Sequence, residues 1–166
     1  MSDYIFPELF VKNVESKRII CRRGDEFTMT SQPSDSCSEI YGSIPYEDVL
    51  RYIDLENPAL KASIILVDRR ELPKALLFEE GTPLCLQEVT GRRLYYIGGL
   101  KHVRRGELVV YTVTGKHEVR STRSVCEGFL LAVIDLTWEK PEKIVLVVSV
   151  EQPREISIRE SERSSF

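Results

Sequence analysis

Residues 105–128 read RGELVVYTVTGKHEVRSTRSVCEG. Arg105-Gly106 is a turn signal, Leu108–Val113 an apolar run rich in β-branched residues, and Thr114-Gly115 a second turn. Glu118–Arg123 then returns, and Glu127-Gly128 turns again. Such a run bounded by glycine turns predicts a β-hairpin, with glycine supplying the positive φ of a tight bend. The same order occurs upstream, where Glu80-Gly81-Thr82-Pro83-Leu84 opens a strand that closes on Val89-Thr90-Gly91-Arg92-Arg93-Leu94. Both strands end on Val-Thr-Gly followed by a basic residue. The pattern predicts two hairpin units related by a pseudo-two-fold, with Gly91 and Gly115 at equivalent positive-φ bends. Neither unit alone can bury its apolar face, but two wrapped together can.

Outward from this core the β signal continues. The strands expected are Ala75–Phe78, Leu84–Val89, Leu94–Ile97, Leu108–Val113, Glu118–Arg123, Phe129–Leu136 and Ile144–Val150. Short strands at regular spacing predict a small sandwich or barrel over residues 74–150. Residues 1–73 read as a smaller β-rich region. It has an edge segment at Tyr4–Lys12 interrupted by Pro7, strands at Lys17–Arg22 and Glu26–Thr30, and a loop at Ser31–Glu39. A helix is expected near 45–54, with Pro45 in its first turn and Val49, Tyr52 and Ile53 on one face. Ile64–Val67 is a further strand, and the charged turn at Asp68–Glu71 follows. Residues 151–166 read as a charged tail, partly disordered, in which Ile156 and Ile158 form at most a peripheral strand. The fold class is mainly β.

Composition bounds the function classes. The chain has 166 residues, 42% of them apolar and 30% charged, with a net charge of −3. That charge gives no overall attraction to nucleic acid or membrane. No apolar run approaches bilayer length and no leader-like segment precedes the first strand, so a soluble, cytoplasmic protein is expected. Cys21, Cys37, Cys85 and Cys126 contain no Cys-x-x-Cys pair, and separate thiols partly in the core are the expectation, with disulfides the alternative.

Few residues invite chemistry. Lys116 is expected at a hairpin tip, where a cofactor could be attached. A basic cluster runs through Arg92, Arg93, Lys101, Arg104, Arg105, Lys116, Arg120 and Arg123, against only Glu107 and Glu118. Tyr95, Tyr96 and Tyr111 are interleaved, the composition of a face that binds RNA or single-stranded nucleic acid. Strand alternation sends neighbouring side chains to opposite faces and works against a single patch. His102 and His117 have no clustered ligand partners, and a Cys126–His117 pair has no local signature. No phosphate loop, dinucleotide fingerprint or nucleophile elbow is present, so neither catalytic nor metal-binding residues are assigned. Trp138 is expected to cover an end of the β domain.

The spacing around Lys116 resembles that of the biotinyl/lipoyl carriers, flattened barrels of two interlocked halves. In that family a Gly-x-x-Leu turn precedes the modified lysine by ten residues, and a second glycine follows the return strand. Here Gly106 stands ten residues before Lys116, Val109 takes the apolar place, and Gly128 follows. The attachment turn differs: Val113-Thr114-Gly115-Lys116-His117 replaces the Glu-Ala-Met-Lys-Met of biotin carriers and the Asp-Lys-Ala of lipoyl carriers. The resemblance implies a barrel-sandwich hybrid without its modification signal, hence no cofactor. The whole chain is similar to an uncharacterised archaeal protein family, on the stretch Thr114–Arg120 and the Glu127-Gly128 turn. Together these imply a non-catalytic module that binds an unidentified protein partner or a second copy of itself. The alternatives are a carrier modified on Lys116, and nucleic-acid binding through the Arg92–Arg123 face.

Overall fold

The computed structural model describes residues 7–32, 34–136, 138 and 140–160. Among them are sixteen strands: β1 (Glu8–Lys12), β2 (Ile19–Arg23), β3 (Glu26–Thr30), β4 (Glu39–Ile44), β5 (Ile53–Asp54), β6 (Ala59–Leu60), β7 (Ile64–Val67) and β8 (Lys74–Phe78). Then follow β9 (Leu84–Gly91), β10 (Leu94–Tyr96), β11 (His102–Val103), β12 (Leu108–Val113), β13 (Val119–Arg123), β14 (Gly128–Leu136), β15 (Glu142–Ser149) and β16 (Arg154–Glu160). The chain is mainly β and forms two compact units.

The first unit comprises residues up to Ile53, Leu60–Gly81, and Pro153 onward. Its seven strands form a closed barrel in the order β1-β4-β2-β3-β16-β8-β7. β1 pairs with β7 on one side (Leu9↔Leu66) and with β4 on the other (Leu9↔Ile44). Phe10, Ile20, Phe27, Tyr41, Ile65, Leu77, Ile156 and Ile158 fill the interior. Closure removes the edge position expected for β1, because every barrel strand has two neighbours.

β16 overturns the reading of residues 151–166 as a tail. It pairs parallel with β3 (Ile158↔Phe27) and antiparallel with β8 (Ile156↔Ala75), and it buries both isoleucines. Two isoleucines among charged residues form a period-two pattern, and their partner strands lie far away in sequence. Residues 161–166 of that tail lie outside the described residues. β8 also belongs to the barrel, so the boundary expected at residue 74 falls after Gly81. The expected helix is a 3₁₀ helix, Tyr46–Tyr52. Pro45 and Ile53 on either side are extended, and only Val49 is buried, which leaves no amphipathic stripe to support α turns.

The second unit comprises Asp54–Ala59 and Thr82–Gln152. It has two sheets, one of three strands in the order β10-β12-β13 and one of four in the order β11-β14-β15-β9. Val89, Leu94, Val109, Val110, Leu130, Val133, Leu146 and Val148 pack in one cluster. Only half of the predicted duplication holds. β12 and β13 are a true hairpin, whereas β9 and β10 belong to different sheets, so the Val89–Leu94 bend is a corner. Gly91 and Gly115 are not in the positive-φ region; Arg93 (φ 50°) and His117 (φ 63°), two residues further on in each bend, take it instead.

All four cysteines are paired, contrary to the expectation of separate thiols: Cys21 with Cys37, and Cys85 with Cys126. Trp138 is 74% exposed rather than capping the unit.

Candidate functional site

The β12–β13 hairpin is positioned by backbone features the sequence encodes. Gly106 (φ 87°) and Gly128 (φ 152°) occupy the turns on either side of it, in a region that L side chains rarely adopt. A Cβ on Gly128 would lie 2.0 Å from the Ser149 carbonyl oxygen, so no side chain fits there. Behind β13, the Gln87 amide donates to the Arg123 carbonyl and accepts from the Val125 N–H, both at 3.0 Å. Gln87 is on β9 and so joins the two sheets beside the Cys85–Cys126 bridge.

Register then decides what the three-stranded sheet shows. Tyr95 stands opposite Tyr111, and Tyr111 opposite Ser121, so one cross-strand row runs Tyr95-Tyr111-Ser121. Alternation places Leu94 and Val110 on the opposite face, where both are buried. The two tyrosine rings stack at 5.0 Å with 27° between planes. Around them Tyr95 is 47% exposed, Ile97 47%, Leu108 40% and Val119 66%. These four are half of the large apolar side chains left exposed among the described residues, three of them on this small sheet and Ile97 directly after β10. Such a concentration of apolar surface marks an interaction site more often than scattered residues do.

The sheet also presents an edge. Among the described strands, β13 has a neighbour only on the β12 side. The Thr114 N–H donates to the Glu118 carbonyl, which sets the alternation along the hairpin. It turns the backbone groups of Arg120 and Thr122 towards β12, and those of Val119 and Ser121 away from it.

The basic residues separate into two groups. Arg92, Arg93 and Lys116 gather at the bend end of the sheet with His117. Lys101, Arg104, Arg105 and Arg123 lie by the opposite end of β12, roughly 17 Å away at the usual rise per residue. There the Arg123 guanidinium donates to the Gly106 carbonyl at 2.7 Å. Arg120 lies between the groups and pairs with Glu118 at 4.0 Å. The cluster is therefore not one continuous strip.

At the bend end the β9–β10 corner meets the β12–β13 turn. Thr114 organises the turn: its hydroxyl accepts from the N–H groups of Lys116 (3.3 Å) and Glu118 (3.1 Å), and its carbonyl from His117 (2.9 Å). At the corner, the Thr112 hydroxyl donates to the Arg92 carbonyl and Glu142 accepts from the Leu94 N–H. Between the bends lies a cleft of about 130 Å³ lined by Arg92, Arg93, Val113, Thr114, Gly115 and His117. Positive φ costs a residue with a Cβ roughly 1–2 kcal/mol. Arg93 and His117 are two of the three such residues described, the third being Asn13.

Lys116 is exposed at the tip of the turn, as expected. Its side chain is free of the packing that would bar access to an enzyme or partner. Cys126 is disulfide-bonded, which removes the thiol that a Cys126–His117 pair needs. His102 packs edge-on against Phe129. Tyr96 is turned inward, where burial and then Glu107 raise its hydroxyl pKa, and that hydroxyl donates to the Gly99 carbonyl.

The barrel has hollows that the sequence did not reveal, because strand ends remote from one another build them. Two adjoining hollows of about 530 and 390 Å³ share Glu8, Arg18, Val67 and Arg69. Their charges are largely matched: Glu8 accepts two bonds from Arg18 (3.1 and 3.0 Å) and one from Ser43 (2.7 Å), and Arg70 grips Asp68 at 3.1 and 3.0 Å. At the opposite barrel end, Glu39 accepts from Tyr41 (2.7 Å) and Arg22 (3.1 Å) and pairs with Lys12 (3.2 Å). The Tyr41 bond, with help from the two cations, holds the Glu39 carboxyl below its ordinary range despite partial burial. Burial and then Glu39 push the Tyr41 hydroxyl up to about 12.

Every buried side-chain polar atom among the described residues has a partner, so none of these is an unsatisfied group poised for chemistry. Among the described residues no three His, Cys, Asp or Glu side chains gather as a metal site, and no helix is long and apolar enough to cross a membrane.

A model of a family described as an uncharacterized protein conserved in archaea (DUF2118) matches residues 4–151. No curated protein matches the chain.

Proposed function

Because the chain belongs to that uncharacterised archaeal family, whose description assigns no activity, we propose a role from the surface itself: a non-catalytic, carrier-like module that binds a protein partner. The contact face is the outer side of the β10-β12-β13 sheet. The observation that carries this reading is the stacked Tyr95–Tyr111 pair within a patch of exposed Ile97, Leu108 and Val119. An aromatic and aliphatic centre with arginines at its margins has the anatomy of an interaction hot spot.

Charge argues for the kind of partner. Arg92, Arg93 and Lys116 flank one end of the patch and Arg104, Arg105 and Arg123 the other, so two copies placed face to face would repel. The reading therefore favours a different, acidic protein over a second copy of this chain. Two sheets, with a lysine-tipped hairpin between positive-φ glycines, support the likeness to the biotinyl/lipoyl carriers.

Copurification from an archaeal host tests the proposal. Wild-type protein should retain one stoichiometric partner at moderate salt. Tyr95→Ala and Val119→Glu should lose it, whereas Leu55→Glu, elsewhere on the surface, should keep it. Equal recovery with all four proteins would defeat the proposal, and so would recovery of nucleic acid alone.

A second reading has one observation in its favour: Lys116 is exposed at a hairpin tip, the place a carrier lysine needs. Intact mass of protein purified from its host distinguishes it, since a carrier would show a covalent increment on Lys116 and a binding module would not.

A further inference from the structure

The cleft between the two bends is a different feature from the apolar sheet face, and its chemistry is anionic recognition. We propose that it binds the phosphate group of a small phosphorylated ligand, through Arg92, Arg93 and His117 with Lys116 at its rim.

Three observations converge on this. First, two chain segments of the same form, Thr90-Gly91-Arg92-Arg93 and Thr114-Gly115-Lys116-His117, are brought side by side. The Arg92 guanidinium lies 3.5 Å from the place a Cβ on Gly115 would occupy, so it covers the neighbouring bend rather than pointing to open solvent. Second, the residues at the strained backbone position of each bend, Arg93 and His117, are ones that carry nitrogen donors. Glycine would relax that position, and strain retained at a cleft points to a use for the side chains. Third, the nearest carboxylates have partners of their own: Glu118 faces Arg120 at 4.0 Å, and Glu142, in register with Gly91 at the same corner, accepts the Leu94 N–H. Among the described residues no carboxylate forms an ion pair with Arg92 or Arg93.

Size selects the ligand class. A space of about 130 Å³ is that of about four waters, enough for one tetrahedral anion. Guanidinium groups suit phosphate because their donors match its oxygens in pairs. A phosphate monoester, with its organic part outside the cleft, fits this description better than a nucleic-acid backbone. A backbone would need the cations to continue along a track, and they separate towards the two ends of β12 instead.

Phosphorus NMR and calorimetric titration of the full chain with inorganic phosphate and pyrophosphate test the site. Wild-type protein should bind with one saturable site and weaken as salt rises. Arg92→Ala should weaken binding about tenfold, the usual effect of losing one charge-assisted bond. Arg93→Gly and His117→Gly should also weaken it several-fold while raising the thermal midpoint, because glycine suits their φ. A merely structural role for these side chains would give the rise in midpoint without the loss of binding, and that result would overturn the proposal. Arg123→Ala, at the far end of the sheet, should bind as wild type does, and an equal loss there would also overturn it. So would the absence of saturable binding, or tighter binding of an oligodeoxynucleotide that Tyr95→Ala abolishes. Tyr95→Ala with phosphate separates this site from the partner face: it should lose the protein partner and keep the anion.

Discussion

Removing the Cys85–Cys126 bridge should destabilise the second unit substantially, and the amount follows from chain length. The bridge closes a loop with a sequence separation of 41. In the chain-entropy description that loop withholds about 13 cal/mol/K from the unfolded chain, or about 4 kcal/mol at 25 °C. The shorter Cys21–Cys37 loop, with a separation of 16, gives about 3 kcal/mol. The double variant Cys85→Ala/Cys126→Ala should therefore lose about 1 kcal/mol more than Cys21→Ala/Cys37→Ala, from loop length alone. Packing adds to this difference little, because Cys21 and Cys126 are both 1% exposed. Guanidinium unfolding of the two variants and the parent, followed by tryptophan fluorescence and circular dichroism, measures both losses. Trp138 is 74% exposed in the folded chain, so circular dichroism carries the comparison. A loss below about 1 kcal/mol for the longer loop, or the reverse order of the two variants, would refute the loop-closure reasoning.

Three other outcomes follow from the barrel and its partner unit. Glu39 has a depressed carboxyl pKa, so its bond to Tyr41 contributes stability above the unfolded value of about 4.3 and loses it as pH falls through the folded value. Tyr41 is raised to about 12, so its contribution is complete below about pH 10 and disappears as pH climbs to about 12. Urea titrations from pH 3 to 12 should show both flanks in the parent and a flatter acid flank in Glu39→Gln. Gly128→Ala should cost more than about 3 kcal/mol, or abolish soluble expression, because the new methyl meets the Ser149 carbonyl at 2.0 Å. Gly115→Ala, with only Arg92 within 4 Å, should change the thermal midpoint little. Removing residues 154–166 strips two buried isoleucines, worth roughly 3–6 kcal/mol, and opens the barrel between β3 and β8. The truncated chain should lose cooperative unfolding in calorimetry.

The legible parts of this molecule are the ones decided locally. Leu108–Val113 and Ile64–Val67 are strands with the bounds their apolar runs indicate, and the bends at Gly106 and Gly128 fall where glycine must be. What the sequence hid depends on distant pairings. β4 carries Gly42 and Ser43 in its interior and lacks a strong apolar run, yet it sits between β1 and β2. Gly42 is needed there because a Cβ would lie 2.1 Å from the Val14 carbonyl oxygen. Ile156 and Ile158 matter only because Phe27 and Ala75 are their neighbours in the barrel. The cysteine pairs span separations of 16 and 41, with no local spacing to announce them.

The candidate sites show the same division. The Val-Thr-Gly repeat marked two bends, but not that one is a corner between sheets, nor that the strained residue is the second one after each glycine. The run of arginines was visible in composition, while its division between the two ends of β12 is a consequence of strand length. The row Tyr95-Tyr111-Ser121 needed the register of two strand pairs.

In-cell photo-crosslinking gives the most direct test of the sheet face. A photoreactive amino acid at Ser121, beside the tyrosine stack, should capture one dominant acidic protein in the archaeal host, and the same residue at Leu55 should capture none. Adducts of equal yield from both positions, or no adduct from Ser121 in cells where the protein is abundant, would contradict recognition through this sheet.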